Sequence, residues 1–299
     1  MSLIPPKLRS GLGFARSLSK GLSRGAFFPD RSAPPAQPAP LGSECSPVGR
    51  GNQVSAFTQT VHRAALPGLT RPLSIWHFTD LHLRAKGAHL DALCGALSTL
   101  EPADLVVLTG DVVTRGWTDE AVDQLLRALP KAHMGTFAIM GNWEHWSGVK
   151  PTAWATRLED QGVRLLLNEG MNIGPLHIAG TDDHLAGDAQ VGRTIQGWDR
   201  DLPLLALTHS PALAPALARA GASLILAGHS HAGQVRVPGL GALWVPMGTG
   251  QYVGGWYSVH QSWLFVGRGL GWSIAPVRWR CPPELARIEL QSATGPNQG

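Results

Sequence analysis

Five short apolar runs in this chain end alike. Each gives way to a carboxylate, an imidazole or a carboxamide, with glycine or threonine beside it. They are Phe78-Thr79-Asp80-Leu81-His82, Leu108-Thr109-Gly110-Asp111, Met140-Gly141-Asn142, Leu207-Thr208-His209 and Ala227-Gly228-His229-Ser230-His231. Such runs read as buried strands, and helical patterns lie between several of them, near residues 88–100, 118–128, 152–160 and 212–220. Strands alternating with helices imply an α/β domain. In α/β sheets, sites are built at the carboxyl ends of the strands. A fold that gathers these five ends brings together two Asp, one Asn and four His.

The residue types narrow the chemistry. Imidazole, carboxylate and amide oxygen together suit Zn, Fe or Mn, and they differ from the thiolates of a structural zinc site. Asp80 and His82 stand two apart, as do His229 and His231, so in an extended segment each pair faces one way. Seven candidates exceed the needs of one tetrahedral ion. They suit two ions about 3.5–4 Å apart with one shared carboxylate. Asp111 is the natural bridge, since a carboxylate has two oxygens and Gly110 permits a sharp turn. His77 and His177 lie inside strand patterns and read as core.

Composition bounds the rest. Of 299 residues, 43% are hydrophobic and 15% charged, with 36 Gly and 23 Pro, which describes a loop-rich chain with ample core material. No run approaches the roughly 18 apolar residues of a membrane span. Three scattered cysteines, Cys45, Cys94 and Cys281, form no CxxC pair and fit a reducing, cytoplasmic compartment. The basic charge is confined to one end: residues 1–79 carry nine Lys/Arg and two acids, residues 80–299 sixteen and nineteen. A long polyanion needs a basic track, so nucleic acid is not the expected partner.

The chain divides into residues 1–28, 29–70, 71–290 and a flexible tail, 291–299. Residues 1–28 contain no acid, and Ile4, Leu8, Leu12, Ala15, Leu18 and Leu22 share one helical face opposite Arg9, Arg16, Lys20 and Arg24. Three readings fit: an amphipathic helix lying on the inner face of a membrane, a disordered basic tail, and an organelle transit segment. No secretory signal is expected, because no continuous apolar stretch follows the basic residues. Residues 29–70, rich in Pro and Gly, read as a disordered linker.

The ordered series DxH, GD, GNx, lone His and GHxH resembles the signature of the calcineurin-like metallophosphoesterase superfamily over about residues 72–290. Within it the chain is most similar to bacterial phosphodiesterases of the YkuE/YaeI type. They share a GHSHAGQ-like segment (Gly228–Gln234), a Gly-Leu-Gly stretch (Gly269–Gly271), and Arg278 followed by Cys281–Glu284. The resemblance implies a β-sandwich of two mixed sheets flanked by helices. It implies two divalent ions as cofactors, Mn²⁺ foremost, with Fe, Zn or Mg as alternatives. Asp80, His82, Asp111 and His231 would hold the first ion, and Asp111, Asn142, His209 and His229 the second. Asp182 and Asp183 match a Gly-x-Asp-Asp element of that family, where a structural role is expected.

One position departs. The superfamily's third motif reads Gly-Asn-His-Asp/Glu, and here it reads Gly141-Asn142-Trp143-Glu144-His145. Trp cannot act as a general acid. His145, two residues on, is the candidate replacement, with the Glu144 carboxyl as an alternative. Without a strong acid, hydrolysis favours a leaving group that is stable as an anion, such as a pyrophosphate or an activated phosphodiester. Some members of the superfamily cleave the pyrophosphate of UDP-2,3-diacylglucosamine, so a lipid-linked nucleotide is the finer expectation. Eleven Trp, with Trp244, Trp256, Trp263 and Trp272 in the last third, fit either an acyl-chain surface or core packing, and packing is favoured. The rival functions are a phosphodiesterase of a soluble substrate and a catalytically weakened metal-binding scaffold.

Overall fold

The computed structural model describes residues 41–48, 57–273 and 275–292. The basic segment 1–28, the linker residues 29–40 and 49–56, and the end of the tail from 293 lie outside the described residues.

In chain order the strands are β1 (Ser43–Val48), β2 (Phe57–Leu66), β3 (Leu73–Phe78), β4 (Ala103–Thr109), β5 (Ala132–Ile139), β6 (Val163–Leu165), β7 (Glu169–Ile173) and β8 (Leu176–Gly180). They continue as β9 (Leu204–Leu207), β10 (Leu224–Ala227), β11 (Arg236–Val237), β12 (Gly241–Ala242), β13 (Gly255–Val259), β14 (Ser262–Val266) and β15 (Glu284–Ser292). The helices are α1 (Ala88–Leu97), α2 (Asp119–Ala128), α3 (Asn142–Trp146), α4 (Pro151–Glu159), α5 (Val191–Thr194) and α6 (Ala214–Arg219).

Two mixed sheets face each other, ordered β1-β2-β15-β3-β4-β5-β6 and β13-β14-β10-β9-β8-β7. Their centres are parallel: β3, β4, β5 and β6 in the first, β8, β9, β10 and β14 in the second. Strict alternation sorts the side chains. Ile75, Leu105 and Val107 point inward to meet Leu205, Leu207 and Leu226 of the other sheet. Trp76, Phe78, Val106 and Leu108 point outward under Leu93, Val122, Leu125, Trp154 and Leu158 of α1, α2 and α4. On the far side, Ala206, Ile225 and Leu264 are covered by Leu213 and by Leu217 of α6. The layering is helix, sheet, sheet, helix, the β-sandwich flanked by helices that the family resemblance implies.

The expected linker ends too late. β2 lies inside 29–70, and its inward face is Thr60, His62, Ala64 and Leu66. That face is too polar to read as a strand in sequence. It is satisfied from β15, which runs parallel to β2 from Glu284↔Thr58 to Ser292↔Leu66. Thr60 donates to Glu284 (2.9 Å), Arg268 Nη2 donates to the same oxygen (2.9 Å), and His62 Nε2 lies 3.6 Å from it. β15 also runs past residue 290, where the tail is expected to begin.

Candidate metal centre

Eight parallel strands end at one pole of the sandwich. Five of these ends carry the predicted ligands; β6, β8 and β14 contribute the other three. The loops after β3 and β4 bond to each other: Asp80 N–H donates to Gly110 O, His82 N–H to Asp111 O, and Leu83 N–H to Val112 O. Five of the predicted residues adopt the left-handed region: Asp80 (φ 53°), His82 (50°), Asp111 (52°), His229 (69°) and His231 (50°). Each such residue costs on the order of 1–3 kcal/mol unless its surroundings over-determine it. Glycines supply the room. Gly110 has φ 87°, and a Cβ there would sit 2.6 Å from Gly141 N and 2.9 Å from His209 Nδ1. A Cβ on Gly228 would collide with the Thr79 hydroxyl.

The side chains converge as two groups, Asp80–His82–His231 and Asp111–His209–His229, all buried. In the first, His231 Nε2 is 3.2 Å from Asp80 Oδ1 and 3.0 Å from His82 Nε2. In the second, His209 Nε2 is 3.1 Å from Asp111 Oδ2 and 3.3 Å from His229 Nδ1. Asp111 Oδ2 is also 3.7 Å from His82 Nε2, which places it between the groups as a bridging carboxylate requires.

Most of these side chains have one atom tied to the protein and another left open. Asp80 Oδ2 accepts from Thr79 Oγ1 and His229 N–H, both at 2.9 Å, while buried Oδ1 has no hydrogen-bond partner. Asp111 Oδ1 accepts from Trp143 N–H (2.8 Å), and Oδ2 faces the centre. His209 Nδ1–H donates to Thr109 O and His229 Nε2–H to Met247 O, both at 2.7 Å, leaving Nε2 and Nδ1 as bases. Asn142 Oδ1 is buried without a partner. Orphaned oxygen and imidazole lone pairs around one point suit divalent cations, and the tied second atoms are the supports such ligands need.

The electrostatics agree. Burial pushes His82 and His229 down to about 4, and His231 well below its ordinary value, so these rings are neutral bases. Burial, helped by the Asp111 charge, lifts Asp80 to about 6. For His209, burial opposes protonation but Asp111 outweighs it and raises the ring well above its usual value. Asp111 is correspondingly lowered: burial would raise it, and His209 wins. A metal entering there must displace the His209 proton.

Glu144 is not a free acid, which corrects one expectation. It is fully buried, and its two oxygens accept three backbone N–H groups: Asp111 (2.9 Å), Val113 (3.0 Å) and Gly141 (2.7 Å). It clamps the β4 loop to the β5 loop. His145 is held instead by Asp182, Nε2 to Oδ1 at 2.7 Å. That bond raises the His145 pKa, against burial. Sequence reasoning gave Asp182 a structural place. The available signal was that Gly180-Thr181-Asp182 repeats the strand–Thr–Asp pattern of Phe78-Thr79-Asp80. Trp143 stands edge-on to His82, with ring centroids 5.7 Å apart. His77 and His177 are core residues bonded to Thr109 Oγ1 and Asn172 Oδ1.

Comparison with known proteins agrees with this centre. The calcineurin-like phosphoesterase family model matches residues 73–233, more than half of the chain. The uncharacterized metallophosphoesterase YkuE of Bacillus subtilis is 27% identical over 251 residues, 81% of this chain and 87% of that one. Phosphodiesterase YaeI of Escherichia coli is 29% identical over 227 residues, 73% of this chain and 82% of that one. A transmembrane protein with a metallophosphoesterase domain from Bos taurus is 27% identical over 272 residues, 80% of this chain and 57% of that one. Five strand ends, two ligand groups and a family match over the same residues converge: the chain belongs to the calcineurin-like phosphoesterase family.

Proposed function

We propose that this chain is a hydrolase that uses two divalent ions, Mn²⁺ foremost, to cleave a phosphodiester or pyrophosphate bond. The observation that carries the reading is Asp111 Oδ2, which lies 3.1 Å from His209 Nε2 and 3.7 Å from His82 Nε2 and so joins the two groups. Asp80, His82, Asp111 and His231 would hold one ion, and Asp111, Asn142, His209 and His229 the other. Ions bound there supply Lewis acidity toward phosphoryl oxygens and a nucleophile at neutral pH. The protein supplies alignment. The Trp143 N–H turns Asp111, Thr109 O turns His209, and Met247 O turns His229. His145 serves as general acid in this reading, since its bond to Asp182 favours the protonated ring.

Trp143 fills the place of the superfamily's histidine, which favours leaving groups already stable as anions. Pyrophosphates and activated diesters meet that condition, and the name of YaeI supports the diester side. A lipid-linked nucleotide such as UDP-2,3-diacylglucosamine is the finer proposal. Exposed Trp146 at the end of α3, exposed Met247 beside His229, and the acid-free residues 1–28 support it. The same features support a cytoplasmic protein peripheral to the inner membrane face. Among the described residues, no helix is long and apolar enough to cross a membrane.

The test is hydrolysis of bis(4-nitrophenyl) phosphate by the full chain under a Mn²⁺ titration, with Asp111→Ala beside it. Metal-dependent turnover that Asp111→Ala abolishes is expected. A folded, metal-loaded protein inert toward this diester and toward pyrophosphates would leave the scaffold reading in its place. For the lipid proposal, the chain is sedimented with anionic vesicles before and after removal of residues 1–28. Undiminished vesicle binding would remove that segment from the argument.

A further inference from the structure

Resting on the phosphoesterase reading, we propose that Asp182 is a positioning residue that fixes His145 beside the second ligand group and leaves the His145 Nδ1–H to protonate the leaving oxygen. Asp182 is set before His145 meets it. Its Oδ1 accepts from Asp183 N–H (2.7 Å) and its Oδ2 from Asp188 N–H (2.8 Å). Its own N–H donates to Asn168 Oδ1 (3.0 Å). Gly187 packs so tightly on the Asp182 carboxylate that a Cβ there would strike it. The carboxylate is therefore a rigid acceptor, and the 2.7 Å bond to His145 Nε2 inherits that rigidity.

Two observations place the pair next to the centre. His145 follows Asn142 by three residues on α3, so the two share one helical face. The neighbour of Asp182, Asp183, is buried and its charge acts on His209. The pair thus spans from the β5 end to the β8 end across the second group. The side chain of His145 is 17% exposed. Among the described residues no hydrogen bond is made to its Nδ1, so that nitrogen is available to a ligand.

The proton balance is simple. An attacking hydroxide oxygen forms the new P–O bond. The P–O bond to the leaving group breaks, and its electron pair stays on the leaving oxygen. That oxygen takes the Nδ1 proton of the imidazolium. His145 is left neutral with Nε2–H still on Asp182, and solvent returns the proton to Nδ1. The charged groups facing His145 are Asp182 and Asp183 from the β8 loop and Glu144 from its own helix, all favouring the cation.

The experiment compares the full wild-type chain with Asp182→Asn and His145→Gln on methyl 4-nitrophenyl phosphate and methyl phenyl phosphate. Metal content is checked for each protein. His145→Gln leaves the backbone bonds of Asp182 to Asp183 and Asp188 in place and so guards against misfolding of Asp182→Asn. Loss of a general acid costs about 100-fold with the poorer phenolate leaving group and far less with nitrophenolate. Asp182→Asn should move the alkaline limb of the wild-type pH profile to lower pH. In the metal-free protein, the NMR titration midpoint of His145 should fall in the same variant. Equal losses on both esters, or no loss on either, would overturn the pair while leaving metal-dependent hydrolysis intact. Absence of wild-type turnover on both esters would overturn the phosphoesterase reading and the pair with it.

Discussion

The two halves of the centre are built differently. In the second half, each histidine has its spare nitrogen bonded to a backbone carbonyl, His209 to Thr109 O and His229 to Met247 O. In the first half, His82 Nδ1 is buried with no partner. His231 Nδ1 meets a donor instead of a carbonyl, the Arg278 Nη2–H at 3.3 Å, and Arg278 also donates to the Gly271 carbonyl. Apart from that arginine donor, what aims these two rings is stacking, with centroids 4.9 Å apart and planes 22° apart, and the edge of Trp143. Carbonyl-anchored imidazoles keep their direction and their basicity when empty. Stacked ones keep only their place, and here an arginine charge lies behind one of them. In the proposed reading the second half would be a preformed site, and the first would be completed only by an ion bound there.

The largest effect belongs to the residue both halves share. Asp111→Ala removes the oxygen between them and frees the Trp143 N–H it anchors. Loss of several kcal/mol of transition-state stabilisation corresponds to about 10³-fold or more in turnover. Elemental analysis should find both ions depleted. Retention of either ion at full occupancy would show that the halves are independent and that Asp111 belongs to one of them.

A smaller and more discriminating effect separates the halves. During graded chelation, one ion should leave before the other. His82→Ala should abolish the weaker binding step and leave the stronger one nearly unchanged. His209→Ala should weaken the stronger step by about 100-fold or more, the upper range of what a support alone is worth. It should also lower thermal stability, because Thr109 O loses its buried donor. Calorimetric Mn²⁺ titration reads the two binding steps, and thermal melting reads the stability. Two steps of equal affinity, equally sensitive to both substitutions, would remove the distinction between preformed and completed sites.

How legible this was in the sequence follows from what each residue does. The seven ligands could be read because a strand end dictates position and metal chemistry dictates residue type. Their local backbone could not: the sequence places Asp80 and His82 on one side of an extended segment, whereas both adopt positive φ. Glu144 and Asp182 act through partners 33 and 37 residues away, at Asp111 N–H and His145 Nε2. Those contacts exist only once β4, β5 and β8 end at the same pole. β2 hides for another reason. Its inward Thr60 and His62 are strand-compatible only because Glu284 and Arg268 lie across from them. Trp256 behaves as the packing argument expects, buried against His62 and Phe265. The exposed rings are Trp146 and Trp279, which the cluster in the last third does not include.

Glu284 supplies the smallest and most indirect test, because it supports the first half from below. Its N–H donates to Gly269 O, and its Oε2 accepts from Arg268 N–H (3.0 Å). That loop continues to Gly271, whose N–H reaches Asp80 O (2.7 Å) and whose carbonyl holds Arg278. Burial alone would raise the Glu284 carboxyl, but the neighbouring His62 ring and the Arg268 charge hold it down to about 2. A folded-state value below the unfolded one means stability that is fully present above about pH 4.5 and is lost as pH falls toward 2. The shift is worth on the order of 3 kcal/mol. Glu284→Gln removes that charge while keeping an acceptor, so the variant should melt earlier at neutral pH. The gap between it and the wild type should close between about pH 4.5 and 2. At neutral pH the weaker Mn²⁺ step should soften by a few-fold and the stronger one should hold, because the network touches Asp80 and Arg278 but not Thr109 or Met247. Equal softening of both steps would mean that Glu284 supports the whole pole, and that the asymmetry between the halves ends at their side chains.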